Sequence, residues 1–246
     1  MILKAEGIVL KTFNFRETSC IVTFFTKEHG KIKGVLKGIR KDPKKFGSHV
    51  DKFSVNQLVY YTHRNNDLHL VSHCDLTSFF FLIRKNLRRT LAASYALELV
   101  DSIMPTEEKN IKVYQLLINF LTELEEIKDI NRLVHIFQIK ILSHSGFKPF
   151  LDSCVVCQKH IVPSMKFSMK LGGLLCPDCF ANDRDARIIS RGAIASLTHI
   201  ESNDWKKALR LKLTQPVQKE LKVVLNNFLV FHLEKHIKSE KYLSAR

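Results

Sequence analysis

The chain has 246 residues, 45% apolar and 26% charged, which suits packed cores and excludes wholesale disorder. Its longest unbroken apolar run, Phe79 to Ile83, is five residues, far short of the ~20 a membrane span needs, and Lys4 and Glu6 interrupt any secretion signal, so a cytoplasmic location is expected. Lys and Arg number 39 against 24 Asp and Glu, a net charge of +15, which points to a polyanionic partner, nucleic acid ahead of anionic lipid.

Residues 1–77 read as five short strands: Glu6 to Thr12, Cys20 to Thr26, Lys31 to Lys37, Ser54 to Tyr61 and Leu68 to His73 are β-branched or aromatic runs separated by polar or glycine-bearing segments. A turn is expected at Lys27-Glu-His-Gly30, and the gap from Gly38 to Phe53 has room for a short helix. Five strands with an insertion after the third suit an OB barrel, although pattern alone leaves an SH3-like barrel open.

From Ser78 the period becomes helical. Phe79 to Met104 reads as one helix with Leu87, Leu91 and Tyr95 on a stripe, ended by Pro105. Thr106 is the expected cap of a second helix, Ile111 to Ile127, whose stripe is Val113, Leu117, Leu121 and Leu124. Asn131 caps a third that Gly146 stops near Ser145. After the cysteine segment come a short helix over Gly192 to Ile200 and a long one opened by Pro216, with Val217, Leu221, Val224, Phe228 and Phe231 on one face. The expected division is 1–77 barrel, 78–149 helical, 150–181 cysteine element and 182–246 helical: an α+β chain in which an N-terminal OB barrel precedes an all-α body with an inserted zinc element.

Cys154-x2-Cys157, eighteen residues, then Cys176-x2-Cys179 fits the four-cysteine zinc pattern. Each C-x2-C turn aims two thiolates at one point, and two such turns close a tetrahedron around one Zn²⁺. Gly172-Gly173 permits tight backbone before the second turn, and Pro177 stiffens it. Four thiolates leave no open coordination position, so the metal is structural; His160 is an alternative ligand that a full sulfur set makes unnecessary. Cys20 and Cys74 sit in apolar segments and read as core thiols.

The basic charge is concentrated. Residues 31–45 hold Lys31, Lys33, Lys37, Arg40, Lys41, Lys44 and Lys45 against Asp42 alone, the pattern of a surface that tracks a phosphate backbone. Arg16 in the first inter-strand loop and Arg64 between strands four and five join the candidate DNA-binding set, with Phe15, or Phe13 beside it, as a base-stacking ring. Arg84, Lys85, Arg88 and Arg89 cover an arc of about 140° of a helix and either extend this track or face solvent; Lys206, Lys207, Arg210 and Lys212 form a third cluster of the same kind. His232 and His236, four apart, read as an ordinary helix face. No phosphate-binding loop, H-E-x-x-H, deaminase signature or nucleophile elbow occurs, so the chain reads as a non-enzyme.

The order of these features resembles the bacterial RecO family of recombination mediators. Glu6-Gly-Ile-Val-Leu-Lys-Thr12 is similar to its opening strand, and Glu17-Thr-Ser19 with Phe25-Thr-Lys-Glu-His-Gly-Lys31 to its second strand and turn. Lys37-Gly-Ile-Arg-Lys41 resembles its basic signature. Ala96-Leu-Glu-Leu-Val-Asp101, Gly146-Phe-Lys-Pro149, Phe167-Ser168 and Lys238-Ser-Glu-Lys-Tyr-Leu243 recur around the cysteines. Asp42 to Lys52 departs from the pattern, and Lys52-Phe53 stands where Pro-Phe is expected. The resemblance implies binding of single- and double-stranded DNA and annealing of complementary strands without ATP. It also implies loading of RecA, with the partner RecR, onto strands coated by single-stranded-DNA-binding protein, whose acidic C-terminal tail docks on the helical body. A cytoplasmic, nucleoid-associated protein with no membrane partner follows. Charge and stacking alone would equally suit an RNA-binding or ribosome-associated OB/zinc-ribbon protein, and a metal-dependent hydrolase would need an open zinc.

Overall fold

The computed structural model describes residues 1–42, 50–62 and 67–243. Five strands, β1 (Ile2–Phe15), β2 (Ser19–Thr26), β3 (Gly30–Leu36), β4 (Val55–Tyr61) and β5 (Leu68–Ser78), close a barrel in the order β1-β2-β3-β5-β4. Antiparallel β1–β4 pairing shuts one seam and a short parallel β3–β5 pairing the other, which makes this the OB type of Greek-key barrel. Alternate residues fill it: Ala5, Val9, Cys20, Val22, Phe24, Ile32, Leu36, Leu58, Tyr60, Val71 and Cys74 form one buried cluster. The two cysteines are thus core thiols. Gly34 makes the parallel seam possible, since a Cβ there would stand 2.4 Å from Val71 Cγ2. The β1–β2 ladder shifts register between Val9 and Lys11, and Ile8, Val9 and Leu10 are all buried, Val9 within the barrel core.

The same fold unit continues through α1 (Phe81–Arg84), α2 (Leu87–Ile103) and α3 (Ile111–Leu124) and takes in α8 (Glu240–Leu243). The single helix expected over 79–104 is two. Phe80 is left-handed at φ 49°, and Asn86 caps α2 by accepting from Arg89 N. The expected stripe holds at Tyr95, which is buried, and at the half-buried Leu91, but not at Leu87. Leu87 is 73% exposed, and α2 instead buries residues around most of its circumference, from Ala92 to Ile103. Thr106 is not a cap. It bridges to Lys31, and Asn110 caps α3 by accepting from Val113 N; the α3 stripe is buried as expected.

Two carboxylates of α2 organise this unit. Asp101 accepts from Lys11 Nζ of β1 at 2.5 Å and faces Lys31 Nζ of β3 at 3.4 Å, while its carbonyl accepts from Lys31 at 2.6 Å. One helix turn earlier, Glu98 Oε2 accepts from Ser239 N at 2.9 Å and Oγ at 2.6 Å, anchoring the C-terminal segment. On α3, Tyr114 donates to Glu6 of β1 at 3.0 Å; burial and the Glu6 carboxylate raise its phenol well above the ordinary value.

The second unit, residues 127–238, is built around α4 (Ile130–His144), buried continuously from Leu133 to Leu142. Its cap is Asp129, two residues before the expected Asn131, and Gly146 ends it at φ 87°. Around it pack α5 (Arg191–Ser202), α6 (Trp205–Arg210) and α7 (Gln215–Leu233). Lys140 is buried and donates to the carbonyls of Glu201 and Asn203. On α7, Leu221, Val224 and Phe228 are buried but Phe231 is 49% exposed. Glu234 is left-handed after α7 ends, so His232 and His236 do not share a helix face.

Burial raises the Asp101 carboxyl, but its two lysines outweigh it and hold the carboxyl below the ordinary range. The resulting stability is therefore present above about pH 4 and lost as pH falls through the folded-state value. Asp101→Asn should lower the unfolding free energy by about 1–3 kcal/mol at pH 7, and the deficit should shrink toward pH 2–3. Denaturant melts at the two pH values check this; an equal deficit at both would contradict the assignment.

Candidate metal centre and nucleic-acid surface

The cysteine element is a four-stranded ribbon, which sequence periodicity did not reveal because its strands are three to five residues long. β6 (Phe150–Cys154), β7 (Met165–Ser168), β8 (Gly173–Leu175) and β9 (Arg187–Ile189) lie in the order β6-β8-β7-β9. β6 and β8 run parallel, so the cysteine turn after each emerges at the same end. Their approach needs Gly173, where a Cβ would lie 2.5 Å from Phe150 O. The first turn closes through Gln158 N to Cys154 O at 2.8 Å with Gln158 left-handed, and the second through Cys179 N to Cys176 O at 2.9 Å. Lys159 and Asp178 join the two turns at 2.8 Å on the surface.

The four Sγ atoms lie within 4.8 Å of one another, with Cys157 and Cys176 at 3.5 Å. A tetrahedron with metal–sulfur bonds of about 2.3 Å requires sulfurs about 3.8 Å apart, so the donors present fit such an ion. Their chemistry agrees. Burial raises the Cys154 thiol, but the backbone amides of Cys157, Cys176 and Val156 outweigh it and bring it down to about 6. Burial and the neighbouring sulfurs push Cys179 up to about 12. Four adjacent thiolates repel one another unless a cation sits among them. His160 is exposed and pairs with Ser153 through backbone; it is not in the cluster.

At the barrel, the β1–β2 turn and the end of β3 meet. Arg40 N donates to Thr18 O at 2.9 Å, and Arg40 Nη1 lies 3.4 Å from Arg16 O. Arg16, Lys37, Arg40 and Lys41 are all exposed at this end, and Lys33 projects midway along β3. Phe15 is half-buried under the Arg16 guanidinium at 5.2 Å, whereas Phe13 is 57% exposed, which makes Phe13 the freer ring. Lys44, Lys45 and Arg64 lie outside the described residues.

Two candidate cations are engaged elsewhere. Lys31 is committed to Asp101, its side chain 14% exposed. Arg84 donates to Phe79 O and Lys52 O and lies 3.8 Å over the Phe79 ring; burial lowers its guanidinium. Lys85 covers Phe81 at 4.3 Å, Arg88 is exposed and Arg89 half-buried. Because Lys85 and Asn86 separate α1 from α2, these four do not form one helical arc.

A cationic OB barrel joined to a four-cysteine ribbon and a helical body is the architecture of a nucleic-acid-handling protein. Residues 1–80 match the family model described as Recombination protein O N terminal, and residues 84–241 match Recombination protein O C terminal. The chain is 33% identical to the DNA repair protein RecO of Syntrophus aciditrophicus over 98% of its own length and 94% of that protein. It is 32% identical to the DNA repair protein RecO of Caldicellulosiruptor saccharolyticus over 96% and 95%. The chain belongs to the RecO family of DNA repair proteins. Among the described residues, no helix is long and apolar enough to cross a membrane.

Cys154→Ser should cost the chain its bound metal and lower the melting temperature of the second unit, because metal binding and folding are linked. Metal content by plasma emission and a calorimetric melt measure both. A variant that keeps its metal and its melting temperature would show that the ligand set is wrong.

Proposed function

We propose that the chain is a non-catalytic DNA repair and recombination mediator. It binds single- and double-stranded DNA, anneals complementary strands without ATP, and acts with RecR to load RecA onto strands coated by single-stranded-DNA-binding protein. The observation that carries this reading, beside the family, is the meeting of Arg16, Lys37, Arg40 and Lys41 at one end of an OB barrel. Phosphates of two strands each carry one negative charge; neutralising them on this surface lowers the repulsion that opposes pairing. Base pairing then supplies the driving force, so no nucleotide hydrolysis is required. Phe13 or Phe15 offers a ring to an unstacked base.

In this reading the four thiolates hold one structural Zn²⁺, which fixes the ribbon and does no chemistry. The division read from the sequence is a barrel over 1–77, helical parts over 78–149 and 182–246, and a zinc element over 150–181, whose ribbon takes its fourth strand, β9, from residues beyond 181. It works in the cytoplasm at the nucleoid, and the acidic tail of single-stranded-DNA-binding protein docks on the helical body.

The test mixes two complementary oligonucleotides, each precoated with cognate single-stranded-DNA-binding protein, with and without this chain and without ATP. A parallel arm uses coating protein that lacks its acidic tail. Fast annealing over the coated background, weakened when the tail is removed, is expected. No acceleration, with bare strands still bound, would overturn the mediator reading and bring single-stranded RNA forward as the ligand.

A further inference from the structure

The second unit carries twice as many basic as acidic residues. Residues 127–238 hold eighteen Lys and Arg against nine Asp and Glu. Four of those acids accept hydrogen bonds that serve the fold. Asp129, Asp204 and Glu220 accept from backbone amides at helix starts, and Asp183 is buried against Ser168. Asp178 pairs with Lys159 and Glu201 with Lys148.

The surplus is most ordered on α6. Lys206, Lys207 and Arg210 are exposed on one face of the helix, spanning about 100° of arc, while Ala208 on the opposite side is fully buried. Lys212 follows in extended chain between the half-buried Leu211 and Leu213. Lys206 and Arg210 stand four apart, where like charges repel; among the described residues none of the four side chains makes an ion pair within 4 Å, and the Asp204 carboxylate at the helix start is the acid whose charge reaches Lys207. Trp205, half-buried at the first position of the helix, adjoins the strip.

We infer that Lys206, Lys207, Arg210 and Lys212 form a second nucleic-acid site that holds the phosphate backbone of a single strand while the barrel holds another. This rests on the annealing reading above. Annealing brings two polyanions together, and one cationic surface occupied by one strand leaves the incoming strand unneutralised; a separate strip on the second unit supplies that neutralisation. A row of exposed cations carried on one helix face suits a polyanion. The strip offers contacts to backbone and not to base edges, so it is indifferent to sequence.

Trp205 is the single tryptophan of the chain, which makes it a local reporter. Full-length protein would be titrated with an oligothymidylate, reading tryptophan fluorescence for the strip and anisotropy of a labelled strand for total binding. Fluorescence should change on titration. It should stop changing in Lys206→Ala/Lys207→Ala/Arg210→Ala, persist in Lys206→Arg/Lys207→Arg, and persist in the barrel variant Lys37→Ala/Arg40→Ala/Lys41→Ala. The alanine variant should also lose up to about 0.7 from the salt slope per phosphate contact removed, and its annealing should fall toward background. Strand binding by anisotropy with no tryptophan response would overturn the inference, as would a response to an acidic peptide alone. A tryptophan response without annealing would leave this site standing and overturn the mediator reading instead.

Discussion

Asp101 is the contact on which the first unit depends. A carboxylate near the end of a helix draws lysines from two barrel strands, β1 and β3, that are not neighbours in sequence. Its own carbonyl takes a second bond from one of them. Removing it would leave Lys31, 14% exposed, without a counter-charge, and a buried unpaired ammonium is costly. The same helix anchors the C-terminal segment through Glu98. The stretch Ala96 to Asp101 therefore carries two of the unit's long-range joints within six residues, which accounts for its chemistry without any role at the DNA.

That joint also sorts the basic residues. A chain with 39 Lys and Arg contains cations of two kinds. Lys11, Lys31, Arg84 and Lys140 donate to carboxylates or carbonyls of the protein itself. Lys33, Lys37, Arg40 and Lys41 face outward at the barrel, and Lys206, Lys207 and Arg210 do so on α6. The first kind is held by partners within the protein; the second is exposed. The proposed function rests on the second kind.

Much of this was legible in the sequence where the controlling interaction is local. The C-x2-C turns, the strand runs and the stop at Gly146 depend on residues within a few positions of one another, and all three stand in the structure. The misses have a common cause: a competing or distant partner. Apolar periodicity ran through Lys85, but Asn86 captures the Arg89 amide and starts a new helix. Asn110 took the cap expected of Thr106, which lies against Lys31 instead. Lys31 looked like one more cation in a basic run because its partner lies seventy positions away. Phe231 sat on an apolar stripe that the fold leaves half open. The ribbon strands are too short to show a period, and their parallel pairing depends on Gly173, whose need is visible only once Phe150 is beside it.

The division of cations is the central claim, and one comparison tests it most directly. Lys31→Ala and Arg84→Ala would be set against Lys37→Ala and Arg40→Ala, measuring for each the melting temperature and the dependence of single-strand binding on salt. The account predicts that the first pair loses melting temperature and keeps the parent salt slope. The second pair should keep melting temperature and lose about 0.7 from the slope for each phosphate contact removed. A Lys31 or Arg84 variant that flattens the slope while melting like the parent would contradict it.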